Sequence, residues 1–69
     1  MILEGKIIKK NKCFGTIECD KKEYNFPLEI VYGESINIGD KVKFLIENDV
    51  LKIVTKYEVL ELEEYLNVD

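Results

Sequence analysis

Hydrophobic and polar residues alternate with a period of two along most of this chain. In "ILEGKIIK", Leu3, Gly5 and Ile7 oppose Glu4, Lys6 and Ile8, and in "CFGTIEC", Gly15, Ile17 and Cys19 oppose Phe14, Thr16 and Glu18. Successive side chains of an extended backbone point to opposite faces, so each stretch predicts one β-strand. The polar runs "KKNK" and "DKKE" are the turns that follow them. In "EYNFPLEI", Tyr24, Phe26 and Leu28 fall on one side and Glu23, Asn25, Pro27 and Glu29 on the other. Pro27 has no N–H to give to a ladder, which places it at a strand end or a sheet edge.

The longest irregular connection is "VYGESINIGD", where Gly33 and Gly39 supply positive φ. After it, "KVKFLIE" sends Val42, Phe44 and Ile46 inward and Lys41, Lys43 and Glu47 outward. "ENDV" turns tightly into "LKIVTKYEV", in which Leu51, Ile53, Thr55, Tyr57 and Val59 share a face. The pattern thus predicts five strands. In the tail "EVLELEEYLNVD", Val59, Leu62 and Leu66 lie at helical spacing between acidic residues. Two readings stay open there: a short helix or turn packed on the strands, or a fifth strand continuing to Leu62.

Five short strands with no room for crossover helices predict an all-β fold, a small antiparallel barrel. The 69 residues make a single domain, near the size at which one core is marginal. Hydrophobic residues at 46% and charged residues at 35% suit a folded, soluble chain, so disorder is not expected. No apolar run approaches the roughly 20 residues that span a bilayer, and "MILEGKIIKK" meets charge too early for a signal sequence. The expected location is cytoplasmic. Cys13 and Cys19 stand six apart in one extended stretch, which separates them by roughly 20 Å, far beyond disulfide reach. Both are expected as free thiols, in keeping with a reducing compartment.

Charge divides the chain. Residues 1–22 carry Lys6, Lys9, Lys10, Lys12, Lys21 and Lys22 against Glu4, Glu18 and Asp20, whereas residues 56–69 carry Lys56 against Glu58, Glu61, Glu63, Glu64 and Asp69. The net charge of −4 works against generic affinity for nucleic acid, which comes mainly from neutralised phosphates. All ten cations are lysines, so a phosphate contact would be a point charge without the bidentate fork of arginine.

Catalysis is not expected. Histidine is absent, Ser35 is the single serine, and neither cysteine has a histidine partner, so the usual nucleophile and base pairs cannot be assembled. Glu63 and Glu64 read as a charged solvent face. Gly33 and Gly39 match no phosphate-loop spacing. Without histidine or a second cysteine pair, neither a metal nor a cofactor is expected.

The segments "EGKI", "CFGTI", "YNFPL", "IGDKVKF" and "IVTK", taken in order, resemble the cold-shock domain over roughly residues 1–58. That family is a five-stranded OB-fold whose second and third strands carry the motifs G-F-G-F-I and V-F-V-H-F. The resemblance implies a cold-shock-like barrel over 1–58, with 59–69 as an acidic tail packed on or extending it. It also implies binding of single-stranded RNA or DNA by stacking bases on outward aromatic rings flanked by lysines.

Carried over residue by residue, Phe14 takes the place of the first stacking phenylalanine, Thr16 that of the second, and Cys13 that of the first glycine. The family's lysine, tryptophan and phenylalanine stretch on strand one falls on Ile8, Lys9 and Lys10. On strand three, Tyr24, Phe26 and Leu28 take the buried places and Asn25 and Pro27 the two that touch bases. A register shifted by one would expose Tyr24 and Phe26 but bury Glu23 and Asn25, and an unpaired buried carboxylate costs several kcal/mol.

The implied site is Lys6, Lys9, Lys10, Lys12, Phe14, Thr16 and Asn25. Each stacked base contributes about 1–3 kcal/mol, so the loss of three rings costs on the order of 3–9 kcal/mol. The consequence is either weak, short-site binding to single-stranded nucleic acid or none. For Phe14 the alternative is a half-buried strand aromatic covered by the tail, and for the lysines a solvated face. Another functional reading is a protein-interaction module whose acidic surface docks on a basic partner or mimics nucleic acid.

Overall fold

Each stretch with a period of two forms a strand in the computed structural model, which describes residues 1–56. β1 is Ile2–Lys10, β2 Phe14–Cys19, β3 Lys22–Pro27, β4 Val31–Tyr32, β5 Lys41–Glu47 and β6 Val50–Thr55. One turn of 3-10 helix, Leu28–Ile30, joins β3 to β4. The expectations for Tyr57, Val59 and the tail 59–69 lie outside the described residues.

Six strands replace the expected five because the third breaks at Pro27. The ladder to β2 closes with Leu28, whose N–H donates to the Cys13 carbonyl at 2.9 Å, and the chain bends through Leu28–Ile30 before resuming as β4. The sheet order is β3-β2-β1-β5-β6-β4. β4 runs parallel to β6, pairing Val31 with Val54 and Tyr32 with Thr55, which corrects the expectation of a wholly antiparallel sheet. Since β3 and β4 stand at opposite ends of that order yet only three residues apart in sequence, the sheet must curl. The result is a half-barrel.

Two of the hairpins turn on two residues with positive φ, Asp20 and Lys21 (50° and 66°) and Asn48 and Asp49 (52° and 64°). Turns of this hand match the twist of paired strands, and Asn and Asp tolerate them best. The "KKNK" turn falls later than expected: β1 runs through Lys10, and Asn11 to Cys13 make the turn.

Two bulges break the alternation. Ile7 pairs with Ile17 but Lys9 with Thr16, so Ile8 is an extra residue in β1. Leu45 pairs with Ile53 but Ile46 with Leu51, so Lys52 is an extra residue in β6. The second bulge corrects the single face expected for Leu51, Ile53 and Thr55. Leu51 and Val54 enter the main core, whereas Ile53 joins Leu45 and Ile2 in a separate cluster. An extra residue reverses which face every later side chain takes.

The main core holds Ile7, Ile17, Phe26, Ile36, Val42, Phe44, Leu51 and Val54. Tyr24 packs its ring 5.7 Å from that of Phe44. Gly15 lies under the Phe26 ring, where an added Cβ would come within 2.6 Å of Cζ. The glycine of "CFGTI" is therefore a packing requirement. Ile36, in the irregular connection, is 1% exposed and plugs one end of the barrel. Its loop extends the ladder of β1: Ile7 N–H donates to the Asp40 carbonyl at 2.9 Å and Gly39 N–H to the Ile7 carbonyl at 2.8 Å. Lys56 holds the same loop from the end of β6, 3.5 Å from Asp40 and 3.8 Å from Glu34.

Candidate nucleic-acid interface

The outer face of β1, β2 and β3 is built from cross-strand rows. Lys6 stands opposite Glu18, and Glu18 opposite Glu23. The next row is Lys9, Thr16 and Asn25, and the last pairs Phe14 with Pro27. The face grades from charged of both signs at one end to lysine, amide and aromatic at the other. Lys9 takes its place in the middle row because the extra Ile8 shifts it there. Strict alternation from Ile7 would have turned Lys9 toward the core.

Phe14 is 53% exposed, an unusual fraction for so large an apolar side chain on a strand. It borders a groove of about 380 Å³ lined by Lys9, Lys10, Asn11, Phe14, Thr16 and Asn25. Five of these are among the residues singled out from the sequence. Asn11 was not, and it sets the geometry: its Oδ1 accepts the N–H of Cys13 and that of Phe14, each at 2.8 Å. Its own N–H donates to the Phe14 carbonyl at 2.9 Å. Asn at the apex of a polar turn was the available signal, since its side chain mimics a backbone acceptor.

Thr16 and Asn25 form a unit. The Thr16 hydroxyl donates to Asn25 Oδ1 at 2.8 Å. Thr16 is 7% exposed, so it supports the site from beneath, although its outward place in the strand predicted an exposed side chain. With its oxygen engaged, Asn25 presents its NH₂ group to the groove, a pure donor toward acceptor atoms of a base or a phosphate.

The four lysines divide. Lys9 lines the groove and forms no ion pair among the described residues. Lys10 lines it too, but its Nζ donates to the Ile36 carbonyl at 2.7 Å, which latches the plugging loop to β1. Lys6 and Lys12 are exposed beside the groove and outside its lining. Cys13 is an exposed free thiol in the turn, and Cys19 a half-buried one at the far end of β2.

No helix among the described residues is long and apolar enough to cross a membrane. Comparison with protein-family models, with curated proteins and with solved structures finds no match.

Proposed function

We propose that the chain is a small OB-fold module of the cold-shock-like kind that binds single-stranded RNA or DNA weakly through the outer face of its first three strands. The observation that carries this reading is Phe14, 53% exposed on a strand and held by the Asn11 turn beside Lys9 and Asn25. An exposed ring next to lysines is a stacking platform with a place for the adjoining phosphate. The topology supports it as well, since an OB-fold is a partly open five-stranded barrel that takes oligonucleotides on strands two and three and the loop between strands one and two. Here β3 and β4 together correspond to the third of those strands.

In this mechanism a base stacks on Phe14, the NH₂ of Asn25 donates to an acceptor on it, and Lys9 neutralises a neighbouring phosphate. Lys6 and Lys12 extend the positive track at either end, and Lys10 and Thr16 hold the groove in shape. Binding of this kind makes and breaks no covalent bond. Cytoplasmic residence fits the two reduced thiols.

One ring contributes about 1–3 kcal/mol per base, and a net charge of −4 adds little long-range attraction. Short, salt-sensitive binding follows. Anisotropy titration of labelled oligo-dT and oligo-U at two salt concentrations tests it. Wild-type protein is expected to bind in a salt-dependent way and Phe14→Ala to lose about tenfold or more; no binding at either salt would reject the reading.

A further inference from the structure

A second surface, which meets the Phe14 groove at Asn25 but is argued without the nucleic-acid reading, lies where the half-barrel stays open among the described residues. Leu28 N–H donates to the Cys13 carbonyl at 2.9 Å, which makes Cys13 and Leu28 a hydrogen-bonded position of the β2–β3 ladder. Bonded positions recur every second residue in an antiparallel pair. Those of β2 and β3 are therefore Gly15 with Phe26, Ile17 with Tyr24 and Cys19 with Lys22. The two-residue turn at Asp20 and Lys21 requires the same phase. Glu23 and Asn25 occupy the alternate positions, so their N–H and C=O groups point away from β2. Among the described residues β3 pairs with β2 alone.

β6 is open in the same region. It pairs with β4 only at Val54 and Thr55, leaving the half from Val50 to Ile53 bound on the β5 side alone among the described residues. These two edges are the banks of one groove of about 360 Å³, with Glu23, Asn25 and Pro27 on one side and Asp49, Val50 and Leu51 on the other. Its floor is apolar, formed by half-buried Tyr24 and buried Leu51, and Val50 at its rim is 53% exposed.

We propose that this edge takes an extended, lysine-bearing segment of a partner protein as an added β-strand on Glu23–Asn25. Main-chain bonds to the outward groups of Glu23 and Asn25 supply the affinity, and alternate side chains of the segment enter the groove. Charge selects the occupant. Both charged groups lining the groove are carboxylates, Glu23 and Asp49, and neither is in an ion pair among the described residues. The chain's own residues after Lys56 carry Glu58, Glu61, Glu63, Glu64 and Asp69 with no cation, so like charge disfavours them as the strand. A second copy would bring its own Glu23 and Asp49. Pro27, without an N–H, ends the addition and sets its register.

The test uses the full chain and two labelled seven-residue peptides, one alternating lysine with valine and one alternating glutamate with valine. Anisotropy should show the lysine peptide binding, with the glutamate peptide at least about tenfold weaker, because main-chain bonds alone do not choose between them. Amide hydrogen exchange should slow at Glu23 and Asn25 when the lysine peptide is bound. Glu23→Pro removes an outward donor and no ladder bond, so the lysine peptide should bind it about tenfold more weakly or worse with the melting temperature kept. Glu23→Lys keeps the N–H and should shift preference toward the glutamate peptide. Unchanged exchange at Glu23 and Asn25 with saturating lysine peptide, or equal binding by Glu23→Pro, would overturn the proposal. So would protection of those amides in a concentration-dependent dimer without peptide, which would assign the edge to a second copy.

Discussion

Phe14 keeps its exposure because its neighbours are arranged to hold the backbone and leave the ring free. Asn11 Oδ1 receives two N–H groups across the turn, so Asn11→Ala leaves both to water and loosens the strand entry. The expected cost is about 1–2 kcal/mol by urea unfolding, with weaker oligonucleotide binding, and Asn11→Asp, which keeps an acceptor, should restore most of the stability. Gly15 shows the opposite kind of constraint. An added Cβ meets the Phe26 ring at 2.6 to 3.2 Å, and that ring is itself fully enclosed. Gly15→Ala should therefore destabilise the fold by about 1–3 kcal/mol, as overpacking does. The sequence marked both Phe14 and Gly15, but only as a motif. Distances assign the glycine to packing and leave the phenylalanine ring exposed.

Within β1, the bulge at Ile8 gives neighbouring lysines different tasks. Lys9 faces the groove with Thr16 and Asn25, while the Lys10 ammonium crosses to the Ile36 carbonyl. Lys9→Ala should leave stability within about 0.5 kcal/mol and flatten the dependence of oligonucleotide affinity on salt by about 0.7 in logarithmic slope. Lys10→Met should cost about 1.5–3 kcal/mol, the usual contribution of a charged hydrogen bond, and quicken amide exchange at Gly39, whose N–H bonds to Ile7 in the latched loop. A pattern of "IIKK" gives no sign of this division, because a bulge depends on what the opposite strand pairs with. The same holds for Lys52 in β6, which sends Ile53 to the outer cluster although its spacing from Leu51 predicted one shared face.

On the scale of the whole molecule, stability rests on one small core. A chain of 69 residues has on the order of 3–5 kcal/mol to spare. Phe44 is fully buried and touches the ring of Tyr24; Phe44→Ala should cost about 3–5 kcal/mol and abolish the cooperative melt seen by far-ultraviolet circular dichroism. Ile36→Ala should cost about 2–5 kcal/mol even though the residue lies in no strand, because the loop that carries it is pinned by Lys10, Lys56 and the β1 backbone. In the sequence that loop read as a connection rich in turn residues. Its role as a plug arises only when the sheet curls beneath it.

The sequence by itself determined the extended character of the chain and which side chains of the first three strands point inward, because strand geometry gives a period of two wherever one face is buried. It also located the turns at Asp20–Lys21 and Asn48–Asp49 and set Pro27 at a strand end or sheet edge, since those follow from local φ preferences and a missing N–H. Tertiary structure decided the parallel closure of β4 on β6, the two bulges, the burial of Thr16 and the partner of Lys10. Each of these depends on residues far apart in the chain meeting at a fixed distance, which no local periodicity encodes. The edge that β3 presents among the described residues belongs with them, for which strand pairs with which is settled by the whole sheet.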